Sequence, residues 1–235
     1  MANSSPLPRR GFLARFAAAT AAVSSTFAIT RSAEAQTVPA QSHELDKWID
    51  ELKGQHKQVY DCVTKDRVGD VQFARNFLTA NQASYGLKDE DSSIIVSFRH
   101  EATPFGFNDA MWEKYKIGES LNVPARGGRG AGGRGGAAAD TTNVAPPDSA
   151  ARPMATRNPQ LNTISQLAGR GVQFTVCGMA TQRYAGEYAR KTNQQMADVR
   201  TELLANLVPN CRQVAAGVVV VNRAQERGFT LLYVG

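Results

Sequence analysis

The stretch GVQFTVCGMATQRYAG, residues 171–186, joins a short apolar run to a helical pattern at a single cysteine. The run VQFTVC, residues 172–177, is compact and apolar, which predicts a strand buried on both faces of a parallel sheet. A helix is predicted to follow, from about Thr181 to Leu207. Because a buried strand followed by a helix is half of a βαβ unit, this stretch predicts an α/β fold.

Four more segments predict strands, and helical patterns alternate with them. The other predicted strands are KQVYDCVT (57–64), SSIIVSF (92–98), CRQVAAG (211–217) and FTLLYV (229–234). The other predicted helices are ELDKWIDELKGQHK (44–57), VGDVQFARNFLTANQASYG (68–86), NDAMWEKYKIG (108–118), LNTISQLAGRG (161–171) and VVVVNRAQERG (218–228). Alternating strands and helices form parallel sheets through right-handed crossovers. The sequence therefore predicts one α/β domain, with a mostly parallel five-stranded sheet flanked by helices.

Helical spacing assigns an inward apolar face to three of these helices. The expected inward residues are Leu45, Trp48, Ile49 and Leu52 in the first helix, Val71, Phe73, Ala74, Phe77 and Leu78 in the second, and Met111, Trp112 and Tyr115 in the third. Asn108 is the natural N-cap of the third helix.

Residues 1–35 have the layout of a cleaved export signal. Arg9-Arg10 precedes a modest apolar run, and an A-x-A site follows at Ala33-Glu34-Ala35. The paired arginines followed by Gly-Phe-Leu are typical of the twin-arginine type of signal. The run is short and rich in Ala, Ser and Thr, so no stable membrane anchor is expected after cleavage. The mature chain is predicted to start near Gln36 and to be periplasmic.

Residues 125–158 form a Gly/Ala/Arg-rich, low-complexity insertion that interrupts the predicted domain of residues 36–235. With almost no large apolar residue, the insertion is expected to be disordered. The chain has a formal net charge of +6, and residues 1–35 and 125–158 each hold an excess of three positive charges. The remaining body is neutral, which argues against nucleic-acid binding.

Two segments bring chemically useful residues to the predicted carboxyl edge of the sheet, where ligands bind in open parallel sheets. The candidate site residues are Arg99, His100, Glu101 and Asn108 in the first segment, and Cys177, Gly178, Thr181 and Arg183 in the second.

Cys177 has two interpretations. At the start of a helix, the positive end of the helix dipole and the nearby Arg183 favour the thiolate, which is the nucleophilic form. A buried cysteine, however, is common and usually inert. His100 is open to the same choice between a general base and a hydrogen-bonded structural residue.

The remaining cysteines and histidines give no metal-ligand pattern. No CxxC or HxxxH motif occurs, and neither a metal nor a cofactor is predicted. Cys62 and Cys211 both fall in predicted strands, so a disulfide between them is possible, and the sequence does not choose among the three pairings.

Three segments together resemble the DsrE/DsrF-like family. They are RHEATPFGFNDAMWEKYKIG (99–118), GVQFTVCGMATQRYAG (171–186) and LVPNCRQVAAGVVVVNRAQERGFTLLYV (207–234), and the resemblance covers residues 56–124 and 159–235. It implies a single flavodoxin-like domain assembled into homo-oligomers such as trimers or hexamers.

Several members of that family act in sulfur relay, carrying a persulfide on a cysteine between a strand and a helix. Cys177 matches that cysteine, and Arg183 matches a basic residue that follows it. His100, Glu101 and Asn108 match a signature of an exported branch of the family.

The sequence supports two functions of different kinds. The first is an exported sulfur carrier with a persulfide on Cys177, which exchanges sulfur with donor and acceptor proteins while His100 or Arg183 stabilises the thiolate. The alternative is a non-catalytic oligomeric binding module, for a small anionic ligand or a protein partner, at Arg99, His100 and the amides after Cys177. A hydrolase triad of Cys177, His100 and Glu101 is disfavoured, because adjacent residues of an extended chain point to opposite sides.

Overall fold

The structure, a computed structural model, describes residues 43–125 and 153–235. The predicted signal peptide and residues 126–152 of the predicted insertion lie outside these described residues.

Five parallel strands form one sheet in the order β4-β3-β2-β1-β5. The strands are β1 (His56–Cys62), β2 (Ser92–Phe98), β3 (Gln173–Cys177), β4 (Cys211–Val214) and β5 (Thr230–Val234). Their apolar, β-branched sequences leave little side-chain surface exposed in the three central strands, as expected for strands covered on both faces. The predicted α/β class, with one five-stranded sheet flanked by helices, is confirmed.

The described residues also contain eight α-helices and four 3-10 helices. The α-helices are α1 (Lys47–Asp50), α2 (Gln72–Tyr85), α3 (Asp109–Lys114), α4 (Ile117–Leu121), α5 (Leu161–Gly169), α6 (Gly178–Thr192), α7 (Met196–Ala205) and α8 (Gly217–Gln225). The 3-10 helices are η1 (Glu44–Asp46), η2 (Lys65–Val71), η3 (Asp89–Asp91) and η4 (His100–Gly106).

The core is divided by the sheet into two unequal parts. On one face, the side chains of Val96, Phe98 and Phe174 join a large cluster with residues of α2, α3, α5, α6 and α7. On the other face, Val59 and Ile95 join a smaller cluster with residues of α1 and α8. Successive strand residues point to opposite faces, so alternate side chains of each strand contribute to each cluster.

This division locates a crevice at the carboxyl edge of the sheet. Helix α6 leaves β3 on the face of the large cluster, whereas α8 leaves β4 on the other face. Neighbouring strands whose following helices lie on opposite faces leave a gap at their carboxyl ends, and ligands of open α/β sheets bind there. The gap lies between the end of β3, which is Cys177, and the end of β4.

Two of the predicted helices differ from those observed. The predicted helix from 181 to 207 is two helices, α6 and α7, because Asn193 adopts a left-handed conformation, with φ of 53°, that ends α6. The predicted helix over 44–57 is only η1 and α1, because the chain beyond Glu51 leads into β1.

Two residues expected in the core are exposed. Leu45 is 69% exposed and Phe73 is 39% exposed. In α2 the fully buried residues are Ala74 and Leu78. The expected inward positions of Met111, Trp112 and Tyr115 are confirmed.

The base of the predicted insertion is closed by an antiparallel bridge between Pro124 and Met154. The amide of Ala125 donates to the carbonyl of Pro153 over 2.8 Å. Residues 153–158, assigned to the insertion by their composition, pack on the domain: the buried side chain of Asn158 donates to two carbonyls at the end of η4.

Because the two sides of the insertion already meet, we expect its replacement to stabilise the domain. A variant with a Gly/Asn-rich turn of about four residues in place of residues 126–152 should gain about 1–2 kcal/mol in free energy of unfolding, since a shorter loop loses less closure entropy. Urea denaturation measures the change. A loss of more than about 1 kcal/mol would instead show that the insertion packs on the domain.

Candidate functional site

A pocket of about 320 Å³ opens at the predicted crevice. Its walls come from the residues at or just after the carboxyl ends of β2, β3 and β4, and from the N-terminal parts of α6 and α8. The lining residues are Arg99, His100, Cys177, Met179, Ala180, Arg183, Ala216, Gly217 and Val218. Four of the residues singled out in the sequence, Arg99, His100, Cys177 and Arg183, are therefore brought together.

Cys177 ends β3 and is the N-cap residue of α6, with an extended backbone. Strand alternation directs its side chain to the α8 face, where it packs against Ala180 and Ala216. Cys177 is 8% exposed, so a small part of the residue reaches the pocket. The buried apolar side chains packed on it are both small.

The N-termini of α6 and α8 both open on this pocket. Neither helix has a side-chain hydrogen bond at its N-cap. The first amides of a helix have no partner within the helix, and they carry its partial positive charge. Two uncapped N-termini thus give the pocket a positive character that comes from backbone alone.

Both of these helices begin with glycine because each touches a neighbouring strand end. A Cβ at Gly178 would lie 2.7 Å from the carbonyl oxygen of Val214. A Cβ at Gly217 would lie 2.4 Å from the Cβ of Arg99. Any larger residue at these positions would push the helix N-termini apart and widen the pocket.

Arg99 forms part of the pocket wall and is held by a bidentate ion pair with Asp61. Its Nε donates to Oδ1 of Asp61 over 2.7 Å and its Nη2 donates to Oδ2 over 2.8 Å. The Asp61 side chain is 7% exposed, and the paired carboxylate raises the pKa of Arg99 above its usual value. Cys177 adds a smaller contribution in the same direction. Most of the charge of Arg99 is therefore balanced within the protein.

His100 and Arg183 lie at the exposed mouth of the pocket. His100 begins η4 in a left-handed backbone conformation, with φ of 52°, which is uncommon for a residue other than glycine. The Arg183 guanidinium lies over the ring of Tyr184, with its carbon 4.3 Å from the ring centroid. Tyr184 is buried and stacks on Tyr188, so Arg183 rests on a rigid support.

The other candidate residues do not line the pocket. Asn108 caps α3 by accepting from the amide of Met111 and also donates to Asn206, which accounts for its side chain structurally. Glu101 is half-buried near Tyr184; burial raises the pKa of that tyrosine, and the charge of Glu101 adds a smaller effect in the same direction. Thr181 is fully buried, and its hydroxyl has no hydrogen-bond partner among the described residues. Gly178 contacts the end of β4.

Cys62 and Cys211 form no disulfide. They lie in β1 and β4, which are separated by two strands and hence by about 14 Å, too far for a bridge. Cys62 is fully buried, and burial raises the pKa of the Cys211 thiol far above its usual value. Cys177 is the only one of the three that lines this pocket.

Within residues 43–125 and 153–235, no group of three His, Cys, Asp or Glu side chains is arranged to hold a metal ion. None of the helices in the same ranges is both long and apolar enough to cross a membrane.

Sequence reasoning missed Asp61, Met179, Tyr184 and the start of α8 as parts of the site. Asp61 could have been found, because a carboxylate inside an apolar strand needs a buried partner. The start of α8 could not, because only the strand order brings the end of β4 beside Cys177.

We expect Gly217→Ala to destabilise the domain by about 1–3 kcal/mol, the usual cost of overpacking. The added methyl group would displace either Arg99 or the first turn of α8. Gly169→Ala is the matched control, since a Cβ there has no neighbour within 4 Å. In the control, alanine should stabilise α5 by up to about 1 kcal/mol. Equal effects of the two substitutions in urea denaturation would contradict the close packing of α8 on Arg99.

No protein-family model matches this chain, and neither does any curated protein. Among solved structures, the chain is similar to a protein of unknown function from Methanobacterium thermoautotrophicum, with a TM-score of 0.38 and 13% sequence identity. The match covers 76% of this chain and 99% of that chain. A likeness at this level assigns neither a family nor a function.

Proposed function

We propose that this protein is a sulfur carrier that holds sulfane sulfur as a persulfide on Cys177. The observation that carries the proposal is the position of this thiol, between two uncapped helix N-termini in an open pocket lined by Arg99 and Arg183. The family resemblance of the sequence supports the same chemistry.

The surroundings of Cys177 suit a sulfur anion. Helix N-termini and guanidinium groups attract anions, and the persulfide group held here would be anionic. Ala180 and Ala216 are the buried apolar side chains that pack on Cys177, and the adjoining pocket of about 320 Å³ offers volume for a second sulfur atom. The pocket is open to solvent at its mouth, where a donor would approach.

Each transfer step needs only thiolate chemistry. The Cys177 thiolate attacks the outer sulfur of a donor persulfide, a new S–S bond forms, and the donor S–S bond breaks. The electron pair of the broken bond leaves with the donor as its thiolate. Transfer to an acceptor thiolate is the same reaction in the opposite direction, so neither step needs an oxidant or a reductant. We assign to His100 and Arg183 the stabilisation of the anionic sulfur at the mouth.

One observation favours the alternative, a binding module without chemistry. Cys177 is largely buried against small side chains, whereas the amides at the start of α6 and α8 have no side-chain cap. Uncapped helix N-termini bind anions readily. In that case the ligand would be held by backbone amides and Arg99, and the thiol would be a packing residue.

Intact-mass analysis after treatment with a sulfane-sulfur donor separates the two functions. The reduced mature protein should gain the mass of one or more sulfur atoms, and Cys177→Ser should gain none. Cys62→Ala is the matched control, because it removes a buried thiol outside the pocket and should leave labelling unchanged. If the wild-type protein gains no sulfur, or if Cys177→Ser gains as much as the wild type, Cys177 is not a carrier.

We further propose that the carrier is exported, periplasmic and homo-oligomeric, in keeping with the twin-arginine pattern and the family resemblance. Cell fractionation and light scattering of the mature protein test these two properties. Retention in the cytoplasm would contradict the first, and a monomeric mass at micromolar concentration would contradict the second.

A further inference from the structure

We infer that Arg183, held over the ring of Tyr184, is the specificity-determining charge of the Cys177 pocket and selects small anionic reaction partners. Tyr184 is then a positioning residue that acts through Arg183. The inference deepens the proposed function and rests on it, because a charge at the pocket can select reaction partners only if they reach the Cys177 thiol.

The two arginines of the pocket differ in what balances their charge. Arg99 makes two short hydrogen bonds to the carboxylate of Asp61. Arg183 has no ion pair or side-chain carboxylate hydrogen bond among the described residues, and its guanidinium carbon lies 4.3 Å from the ring centroid of Tyr184. Of the two pocket arginines, Arg183 is therefore the one whose charge is not balanced by a carboxylate, and it lies on the exposed side of the pocket.

Tyr184 fixes where that charge lies. Its ring is 3% exposed and stacks on Tyr188, whose ring in turn stacks on Tyr115 with centroids 5.2 Å apart. A guanidinium held over a ring loses side-chain freedom, and its N–H groups that do not face the ring still offer donors to a ligand. Without the ring, Arg183 would extend into solvent and spread its charge over a larger volume.

Apart from the two arginines, His100 and Cys177, the pocket wall is apolar and contributes no selectivity by charge. Met179 and Val218 are 71% and 60% exposed at the starts of α6 and α8, on the pocket lining. With a volume of about 320 Å³, the pocket has the size of a small-molecule site. The chemical class that fits is a small sulfur oxyanion of the thiosulfate type: the Cys177 thiolate forms a bond to its outer sulfur, the S–S bond of the oxyanion breaks, and sulfite leaves with the electron pair.

The test compares the rates at which anionic iodoacetate and neutral iodoacetamide alkylate Cys177 at low salt. Peptide mass analysis follows alkylation of Cys177 separately from that of Cys62 and Cys211. The ratio of the two rates reports the charge at the mouth and does not depend on sulfur transfer. We expect Arg183→Gln to lower the iodoacetate-to-iodoacetamide ratio about fivefold, as for loss of one charge within about 4 Å in water. Arg190→Gln, an exposed arginine further along α6, should leave it unchanged.

Substitutions of the support test the position of the charge. Tyr184→Phe keeps the ring and should stay within about twofold of the wild-type ratio, whereas Tyr184→Leu should lower the ratio about threefold. Arg183→Lys provides a second test if Tyr184→Leu does not fold. Lysine keeps the charge but lacks the planar guanidinium that rests over the ring, so an intermediate ratio is expected.

Each other outcome overturns part of the inference. An unchanged ratio in Arg183→Gln, in a protein that still loads sulfur, rejects Arg183 as the selecting charge and leaves the carrier function standing. A wild-type ratio in Arg183→Lys or in folded Tyr184→Leu rejects Tyr184 as a positioning residue. If neither reagent alkylates Cys177 in the folded protein, the pocket admits no small molecule and the inference is wrong.

Discussion

Replacing Trp112 by alanine is expected to lower the free energy of unfolding by about 3–5 kcal/mol, the cost of removing a large aromatic side chain from a packed core. Trp112 is fully buried and meets Phe105 edge-to-face, with ring centroids 5.1 Å apart. Its indole Nε1 donates to the carbonyl of Pro104 over 2.9 Å. Since domains are stable by only about 5–15 kcal/mol, the loss would consume a large share of the total.

The effect should extend to the site, because Trp112 anchors η4. Pro104 and Phe105 belong to η4, and His100 is the first residue of the same segment. Loss of the indole removes both a hydrogen bond and a ring contact between α3 and η4. We therefore expect Trp112→Ala to loosen the packing of η4 at His100 and to speed alkylation of Cys177 by neutral iodoacetamide.

Two controls separate this anchoring from general loss of aromatic surface. Trp112→Phe keeps most of the ring but leaves the buried Pro104 carbonyl without its donor, and it should cost about 1–3 kcal/mol. Tyr85→Ala removes a 75% exposed aromatic residue and should change stability by less than about 0.5 kcal/mol. Urea denaturation followed by far-UV circular dichroism measures all three, and similar effects for Trp112→Ala and Tyr85→Ala would contradict the described packing.

Removal of the Asp61 carboxylate is the second large effect that we expect. Asp61→Ala should lower the free energy of unfolding by about 2–4 kcal/mol, because it leaves the Arg99 guanidinium partly buried without its partner. The Asp61 side chain is almost fully enclosed, whereas Arg99 is 23% exposed. Because water reaches the exposed part of Arg99, the expected loss of stability is smaller than for a wholly buried ion pair.

A double variant isolates the pair from the packing of the two side chains. Asp61→Ala combined with Arg99→Met removes both charges, and it should recover at least half of the stability that Asp61→Ala loses, since a buried ion pair is often no more stable than an apolar pair. Glu44→Ala is the matched control for an exposed pair: Glu44 and Lys47 are 77% and 59% exposed, and the loss should be below about 1 kcal/mol. Additive losses in the double variant would show that Asp61 and Arg99 do not act together.

Much of the architecture could be predicted from the sequence because it depends on local patterns. The apolar runs ending at Phe98 and Cys177 are long enough for a strand and too short for a helix, and they are found as β2 and β3. The break between α6 and α7 was missed because Asn193 is a single residue in a helical pattern, and its left-handed conformation is a property of the backbone rather than of the pattern. Phe73 was misplaced because periodicity reports a face of a helix but not how much of that face the neighbouring elements cover.

The sequence by itself determined the α/β class, the positions of the strands, and the placement of Cys177 between a strand and a helix. Only the tertiary structure decided which residues surround the thiol. The strand order sets β4 beside β3, and the opposite sides taken by α6 and α8 bring Gly217 and Val218, about forty residues away in the chain, to the same pocket. The ion pair of Asp61 with Arg99 depends in the same way on the register of β1 against β2. Local patterns follow from the geometry of one segment, whereas a site depends on contacts between segments, which the packing of the whole sheet determines.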